Sequence, residues 1–273
     1  MTKYFPNIKQ SFVLILQLFL ISIPAAIPSI AFFVLADLFE SSPAVAEYLK
    51  SFGVLLAYVI SFFWIIKIAE SKIKNTESAL NWKFKKVPFQ LIAIFLIMTL
   101  ALVILIDPLT ELLPMPKSFE DMFKEMLKPN IFAFLTLVIA APIFEELFFR
   151  GIILEGFLKN YSPRKAIIWS AIIFGSAHLN PWQFVGAGFA GLFIGWAYYK
   201  TGSLIPGMFI HFVNNLIGFI VGIASKGELF TFYELFSNKI LYFSMFALSA
   251  IILIIGIFAI NRQYMFPVKE SMN

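Results

Sequence analysis

Long runs of apolar residues recur from Phe12 to Ile260 with only short polar gaps between them, and they limit the fold of this chain more than any other feature. A helix needs about 20 apolar residues to cross a bilayer core that is ~30 Å thick. Of the 273 residues, 60% are hydrophobic and only 14% are charged, whereas a soluble domain is usually about half apolar and a quarter charged. The sequence therefore predicts an all-α fold, a polytopic transmembrane helical bundle that forms one membrane domain.

Eight of these runs are candidate membrane spans. They cover residues 12–35, 52–68, 89–106, 131–158, 166–178, 184–199, 204–224 and 240–260. The fifth and sixth runs are short and are separated by Asn180 and Pro181, so protein or a water-filled cavity must surround their ends. In the first run, Pro24 and Pro28 predict a bend because each removes a backbone donor. Between the third and fourth runs, residues 121–128 predict either a short amphipathic helix on the membrane surface or a solvated connector.

The lysine and arginine residues predict the orientation of the chain, because the cytoplasmic loops of membrane proteins carry an excess of them. With the N-terminus inside the cell, the cytoplasmic segments hold most of the 21 lysines and arginines. We therefore expect an integral protein of the plasma (inner) membrane with both termini in the cytoplasm. The net charge of +5 does not indicate binding to nucleic acid, because the basic residues form no patch interleaved with aromatic residues. The absence of cysteine excludes disulfides, thiolate metal sites and a cysteine nucleophile.

Charged residues inside the fourth run are the strongest chemical signal, since an ionisable group within a span is costly and is a functional hypothesis by default. This run contains Glu145, Glu146 and Arg150. Glu146 and Arg150 are four residues apart on one helical face and can neutralise each other, whereas Glu145 is turned by about 100° from Glu146. Glu145 is then left as a general base that takes a proton from water. The alternative is a structural cluster of the three residues that fixes helix packing.

The two histidines of the chain, His178 and His211, both fall in predicted spans. A single histidine on an apolar helix is usually a packing residue, but two of them together with a buried carboxylate favour a shared site. His211 and Asn215 are four residues apart on one helical face, as are Phe174 and His178. At about 1.5 Å of rise per residue, the depths of Glu145 and the two histidines allow one membrane cavity to collect all three.

Three short motifs follow one another between residues 145 and 215. They are EExxxR as Glu145, Glu146 and Arg150, FxxxH as Phe174 and His178, and HxxxN as His211 and Asn215. Each motif alone is weak, but the ordered set within membrane spans resembles the CAAX-protease and bacteriocin-processing family, also called Abi, which includes the type II CAAX prenyl endopeptidases. Residues 131–224 then form the motif-bearing catalytic core. Residues 1–130, with three spans and an external loop, and residues 225–273, with the last span and a cytoplasmic tail, carry no such motif.

The resemblance implies an intramembrane endopeptidase that cleaves a membrane-associated protein or peptide, lipidated or not, in a cavity open to the cytoplasm. It implies that Glu145 and His178 activate the attacking water and that His211 and Asn215 stabilise the tetrahedral oxyanion. Glu146 and Arg150 would stabilise the structure around the site, and Phe174 would have a supporting structural role. We expect the lipid bilayer and such a substrate as partners, and no nucleic acid.

The sequence leaves a bound metal open, since members of this family are often described as metalloproteases while a metal-free glutamate mechanism is the alternative. His178, His211 and Glu145 could supply the three protein ligands of a catalytic Zn²⁺. The HExxH pair that presents two histidines on one helical turn is absent, so we expect no tightly bound metal.

Two other functions fit the same pattern of buried polar residues. One is a catalytically inactive membrane scaffold or immunity protein of the same fold, which would tolerate the substitution Glu145→Ala. The other is a carrier in which buried glutamate and histidine side chains relay protons, although the inverted repeat of many transporters is not evident.

Overall fold

The structure, a computed structural model, describes residues 4–39, 41–74, 76, 80–111, 116–126, 130–225 and 238–263. The regular structure of these residues is helical, and none of them lies in a β-strand. The helices are α1 (Ile8–Ala25), α2 (Ile27–Asp37), α3 (Pro43–Lys74), α4 (Phe89–Glu111), α5 (Lys117–Met126), α6 (Ile131–Asn160), α7 (Pro163–Ser176), α8 (Pro181–Thr201), α9 (Leu204–Ala224) and α10 (Lys239–Gln263). The predicted all-α class is confirmed.

Within the described residues, six helical segments are long and apolar enough to cross a membrane. They are Ile8–Asp37, which joins α1 and α2, together with α3, residues Phe89–Leu109 of α4, α6, α9 and α10. These correspond to six of the eight predicted spans. The other two are α7, which has only 14 residues, and α8, which has 21 residues but is not among the six. The polytopic bundle is confirmed, and the count of eight spans stays a prediction.

The two prolines of the first run lie at a junction between two helices. Pro24 lies inside α1, and α2 begins at Ile27 with Pro28 in its first turn. Proline at the start of a helix costs little, because its missing N–H would have no partner within the helix there. Ala26 separates the two helices, and its N–H donates to the carbonyl of Ser22 at 3.0 Å. The interruption that the prolines predict therefore lies at Ala26.

Helix α5 begins at Lys117 and ends at Met126, so the helix predicted for residues 121–128 is present as far as Met126. Residues 127 and 128 lie outside the described residues. The position of α5 on the membrane surface stays a prediction.

The chain divides into two compact units, of which the first comprises Met1–Asn81, Met115–Ser162 and Asn215–Leu229. In this unit α3 packs along α1 and α2 and also contacts α6. Gly53 of α3 permits the close approach of α2, since an added Cβ would lie 3.1 Å from the Cβ of Ser29. Association of helices in lipid depends on such close packing across small residues.

The second unit comprises Trp82–Pro114, Pro163–Asn214 and Phe230–Asn273. Here α8 packs against α7 and α4, and α10 packs against α4. The buried core of this unit consists of Leu91, Phe95, Met98, Phe193, Ile194, Ala197, Ile210 and Ile260. Gly256 lets α10 approach α4, because an added Cβ would lie 2.9 Å from the Cγ of Met98. The division of the chain at residues 130 and 224 was based on motifs, and it stays a prediction.

Candidate active site

Helix α6, which carries the EExxxR motif, is not α-helical throughout. Leu135–Ala140 and Leu147–Leu154 form π-helical stretches, in which backbone N–H groups bond to carbonyls five residues earlier. The short α-helical segment Ala141–Glu146 lies between them and ends on the two glutamates. Turns of π-helix are rare and are frequent at functional sites. The glutamate pair thus lies at the junction with the second of the two π-helical stretches.

Glu146 and Arg150 form a fully buried ion pair. The Nη1 atom of Arg150 donates to Oε1 of Glu146 at 2.8 Å, and the two side chains are 1% and 0% exposed. This is the pairing that their four-residue spacing predicts. Loss of one partner from a buried ion pair leaves the other charge uncompensated and typically costs ~3 to 5 kcal/mol. The pair is therefore suited to fix the structure of α6.

Glu145 has different surroundings from Glu146. Its side chain is half-buried, and its Oε1 accepts a hydrogen bond from the hydroxyl of Tyr58 on α3 at 2.7 Å. Tyr58 was not among the site residues predicted from the sequence. The available signal was a phenolic hydroxyl within an otherwise apolar span, because a buried hydroxyl usually finds a hydrogen-bond partner. The sequence alone does not indicate which carboxylate that partner is.

Aromatic packing sets the position of Tyr58. Its ring lies 4.8 Å from the ring of Phe62, one helical turn further along α3. The ring of Phe62 in turn contacts Phe144 at 6.3 Å and Phe148 at 6.1 Å, both on α6. These α6 residues flank the glutamates in the sequence, so aromatic packing between α3 and α6 surrounds the Tyr58–Glu145 hydrogen bond.

Asn215 of α9 is bonded to the backbone of α6. Its Nδ2 donates to the carbonyl of Leu137 at 2.8 Å. In the π-helical register, the N–H of Ala141 bonds to Thr136, and residue 142, the next donor for Leu137, is a proline without an N–H. The side-chain amide of Asn215 thus supplies a donor that the backbone lacks, within the first unit.

His178 lies just beyond the end of α7 and not on it, which corrects the prediction of a helix through residue 178. The helix ends at Ser176 because the chain turns at Leu179, whose φ of 57° is in the left-handed region. The side chain of Asn180 then caps α8 by accepting from the N–H of Gln183 at 2.8 Å, and its Nδ2 donates to the carbonyl of His178 at 3.0 Å. His178 therefore lies in a turn between α7 and α8 that the hydrogen bonds of Asn180 stabilise.

The imidazole of His178 has a defined tautomer in this turn. Its Nδ1 lies 3.0 Å from the carbonyl oxygen of Phe174. Because a carbonyl oxygen only accepts hydrogen bonds, Nδ1 carries the proton and donates it. In the neutral ring, Nε2 keeps a lone pair that can accept a proton or bind a metal.

The ring of Phe174 contacts both histidines of the second unit. It lies edge-on to His178 at 5.2 Å and edge-on to His211 at 5.6 Å. Phe174 is buried, as is His211, whereas His178 is half-buried. Phe174, His178 and His211 are thus brought together in the second unit. Tyr58, Glu145, Glu146, Arg150 and Asn215 belong to the first unit.

Two imidazoles and a carboxylate, the side chains of His178, His211 and Glu145, are ligand types that suit Zn²⁺. Among the described residues, no group of three or more His, Cys, Asp or Glu side chains is arranged to hold a metal ion. We derive no catalytic step through a metal.

A family model described as Rce1-like, type II CAAX prenyl endopeptidase Rce1-like, matches residues 127–217. The matched range includes all seven residues of the three motifs and leaves α1 to α5 and α10 outside it. No curated protein and no solved structure matches the chain.

Proposed function

We propose that this chain, which belongs to the CAAX-protease family through its Rce1-like segment at residues 127–217, is an intramembrane endopeptidase. The family assignment confirms the resemblance drawn from the three motifs and supports a peptidase function in general terms. Together with the six apolar helices, it makes the chain an integral membrane protein. The proposed substrate is a membrane-associated protein or peptide, prenylated or not. The plasma membrane and the cytoplasmic termini stay predictions.

This proposal is based on the different environments of the two adjacent glutamates. Glu146 is fully buried and its charge is compensated by Arg150 at 2.8 Å. Glu145 is half-buried and accepts a hydrogen bond from a phenol, which is a neutral donor. A half-buried carboxylate is better suited to exchange a proton with water than one that is fully buried against a guanidinium.

In the proposed reaction, Glu145 takes a proton from a water molecule while the water oxygen attacks the carbonyl carbon of the scissile peptide bond. The carbonyl oxygen becomes the oxyanion of a tetrahedral adduct. When the C–N bond breaks, Glu145 returns the proton to the leaving amine. One water is consumed, and the products are a carboxyl and an amino terminus.

We assign the remaining roles by the chemistry of each side chain. His178 shares in water activation, because the lone pair on its Nε2 can accept a hydrogen bond from the water. His211 and Asn215 stabilise the oxyanion as hydrogen-bond donors. One N–H of the Asn215 amide already bonds to Leu137, so this role requires the second N–H on the same nitrogen.

The proposal is tested by comparing wild-type protein with Glu145→Ala. The purified proteins are assayed in lipid vesicles with a peptide that ends in a farnesylated Cys-aliphatic-aliphatic-X sequence and carries a fluorophore and a quencher on either side of the scissile bond. In parallel, membrane-associated peptides are compared between cells that contain each variant. We expect cleavage by the wild type only, and a precursor that accumulates with Glu145→Ala.

The matched control is Glu155→Gln, another carboxylate of α6, which lies outside the motifs and 3.9 Å from Lys159. It should retain the wild-type rate. If Glu145→Ala cleaves the peptide as fast as the wild type, or if neither assay shows cleavage by the wild type, the proposal is wrong. A partner that binds wild type and Glu145→Ala equally would then favour the scaffold.

The same assay addresses the metal. We propose a metal-free reaction, so the wild type should retain its rate after exhaustive dialysis against a strong chelator. Stoichiometric zinc in the purified protein, with activity lost on chelation and restored by added Zn²⁺, would contradict the metal-free assignment.

A further inference from the structure

We propose that Tyr58 is a positioning residue of this peptidase, whose hydroxyl holds the Glu145 carboxylate in the orientation that proton transfer requires. Tyr58 lies on α3, outside the three motifs and outside the range that the family model matches. The inference rests on the proposed function, in which Glu145 is the general base, and it adds to that function a residue from a helix that carries no motif.

The contact itself is short and links distant parts of the chain. Tyr58 Oη lies 2.7 Å from Oε1 of Glu145, across 87 residues of sequence. Hydrogen bonds from a hydroxyl to a carboxylate are about twice as strong as those between neutral groups and have lengths of about 2.5 to 2.7 Å. Both residues belong to the first unit, in which α3 packs against the α6 segments on either side of the motif.

The phenol is a stiff donor in this setting. A tyrosine side chain has only two main torsions, and the packing of its ring on Phe62 at 4.8 Å restricts both. Phe62 is itself buried and contacts Phe144, the residue before Glu145 in the sequence. The hydroxyl is therefore fixed relative to the backbone that carries Glu145.

A glutamate side chain has three torsions and, in a half-buried position, would sample several orientations. A general base must lie within hydrogen-bond reach of the proton it removes, and a displacement of about 1 Å can cost about 100-fold in rate. The hydrogen bond to Oε1 restricts the orientation of the carboxylate. Since Tyr58 acts through Glu145, its hydroxyl should affect turnover more than substrate binding.

A purely structural role makes a different prediction. If the hydrogen bond served only to join α3 to α6, its loss would lower stability and leave the turnover of the folded protein unchanged. The ratio of the effects on kcat and on KM therefore separates positioning from packing.

The test compares Tyr58→Phe with wild type in the vesicle assay with the farnesylated peptide. This substitution removes one oxygen atom and keeps the ring that packs on Phe62. The matched control is Tyr48→Phe, the same change on the same helix, at a ring that packs 6.2 Å from Phe132. We expect kcat to fall about tenfold in Tyr58→Phe, which corresponds to about 1.4 kcal/mol of transition-state stabilisation, with KM within about twofold of the wild type. Tyr48→Phe should match the wild type in both.

A second measurement tests the contact without enzyme activity. The unfolding temperatures of Tyr58→Phe, Glu145→Ala and the double variant form a cycle, in which residues in contact have non-additive effects. We expect the double variant to shift the unfolding temperature by less than the sum of the single shifts.

The outcomes distinguish this inference from the proposed function. If Glu145→Ala is inactive while Tyr58→Phe keeps the wild-type kcat, the positioning role is wrong and the proposed function stands. Additive shifts in the stability cycle would also overturn the inference, because they would show that the two side chains do not interact. If Glu145→Ala retains the wild-type rate, the general-base role is wrong and the positioning role is wrong with it.

Discussion

At the scale of single residues, Glu145 and Glu146 show how neighbouring side chains of one type acquire different chemistry from their contacts. Glu146 faces a guanidinium four residues away and is sealed from solvent, whereas Glu145 faces the hydroxyl of Tyr58 and stays half-buried. Substitution of Glu146 should therefore lower the free energy of unfolding, whereas substitution of Glu145 should lower the catalytic rate.

We expect Glu146→Gln to destabilise the protein much more than Glu145→Gln does. The neutral amide at residue 146 would leave the charge of Arg150 buried without its partner, which typically costs ~3 to 5 kcal/mol. Glu145→Gln keeps an oxygen that can accept from Tyr58, so it should fold normally and lack activity. Thermal unfolding of both variants in detergent provides the measurement. Equal losses of stability would show that the two glutamates do not divide these roles.

The sequence predicted the Glu146–Arg150 pair because four-residue spacing is sufficient to place two side chains on one helical face. It could not predict the partner of Glu145, because that contact depends on which face of α3 packs against α6. The hydrogen bond from Asn215 to Leu137 could not be predicted from the sequence for another reason. It depends on a π-helical register that periodicity does not indicate.

At the scale of the element, α6 combines an irregular backbone with a side chain from another helix that compensates for it. Pro142 has no N–H, and the N–H of Ala141 bonds to Thr136, so Asn215 donates to Leu137. The proline therefore accounts for the π-helical stretch before the glutamates and for the attachment of α9 at this point. It also fixes how far the chain has turned when it reaches Glu145.

We expect Pro142→Ala to lower kcat at least about tenfold without lowering the unfolding temperature. An N–H at residue 142 could bond to Val138, four residues earlier, which would favour the α-helical register and turn Glu145 relative to the residues before it. The matched control is Pro28→Ala, in the first turn of α2, where a missing N–H matters little. An unchanged kcat in Pro142→Ala would show that the π-helical register is not needed for activity.

The ends of elements were less predictable than their existence. Apolar periodicity indicated α7 correctly, but its end at Ser176 depends on the backbone of Leu179, which no apolar pattern predicts. Leucine in the left-handed region costs of order 1 to 3 kcal/mol, and the cap made by Asn180 at the start of α8 helps to offset it. The result is a histidine in a turn with a carbonyl partner, where the sequence alone predicted a histidine on a helix.

At the scale of the whole molecule, hydropathy predicted six segments that the structure shows to be long helices, because lipid requires every backbone group of a span to be bonded within the helix. It does not settle whether α7 and α8 cross the membrane, since α7 has only 14 residues, about 21 Å at a rise of ~1.5 Å per residue. A chain with eight spans and a chain with six spans both cross the membrane an even number of times. Both therefore have their two termini on the same side, and the location of the termini does not distinguish the two counts. The side of the membrane on which the turn between α7 and α8 lies does distinguish them.

We expect a cysteine at residue 179 to react with a membrane-impermeant maleimide added to intact cells. The chain has no cysteine of its own, and Leu179 is 71% exposed in the turn between α7 and α8, so Leu179→Cys places a single thiol in this turn. The eight-span orientation places this turn and Lys117 on the outer face of the membrane and Lys74 on the cytoplasmic face. Lys117→Cys should therefore also react, whereas Lys74→Cys should react only after the membrane is permeabilised. If Leu179→Cys behaves like Lys74→Cys, α7 and α8 do not form a pair of spans, and the six-span count is correct.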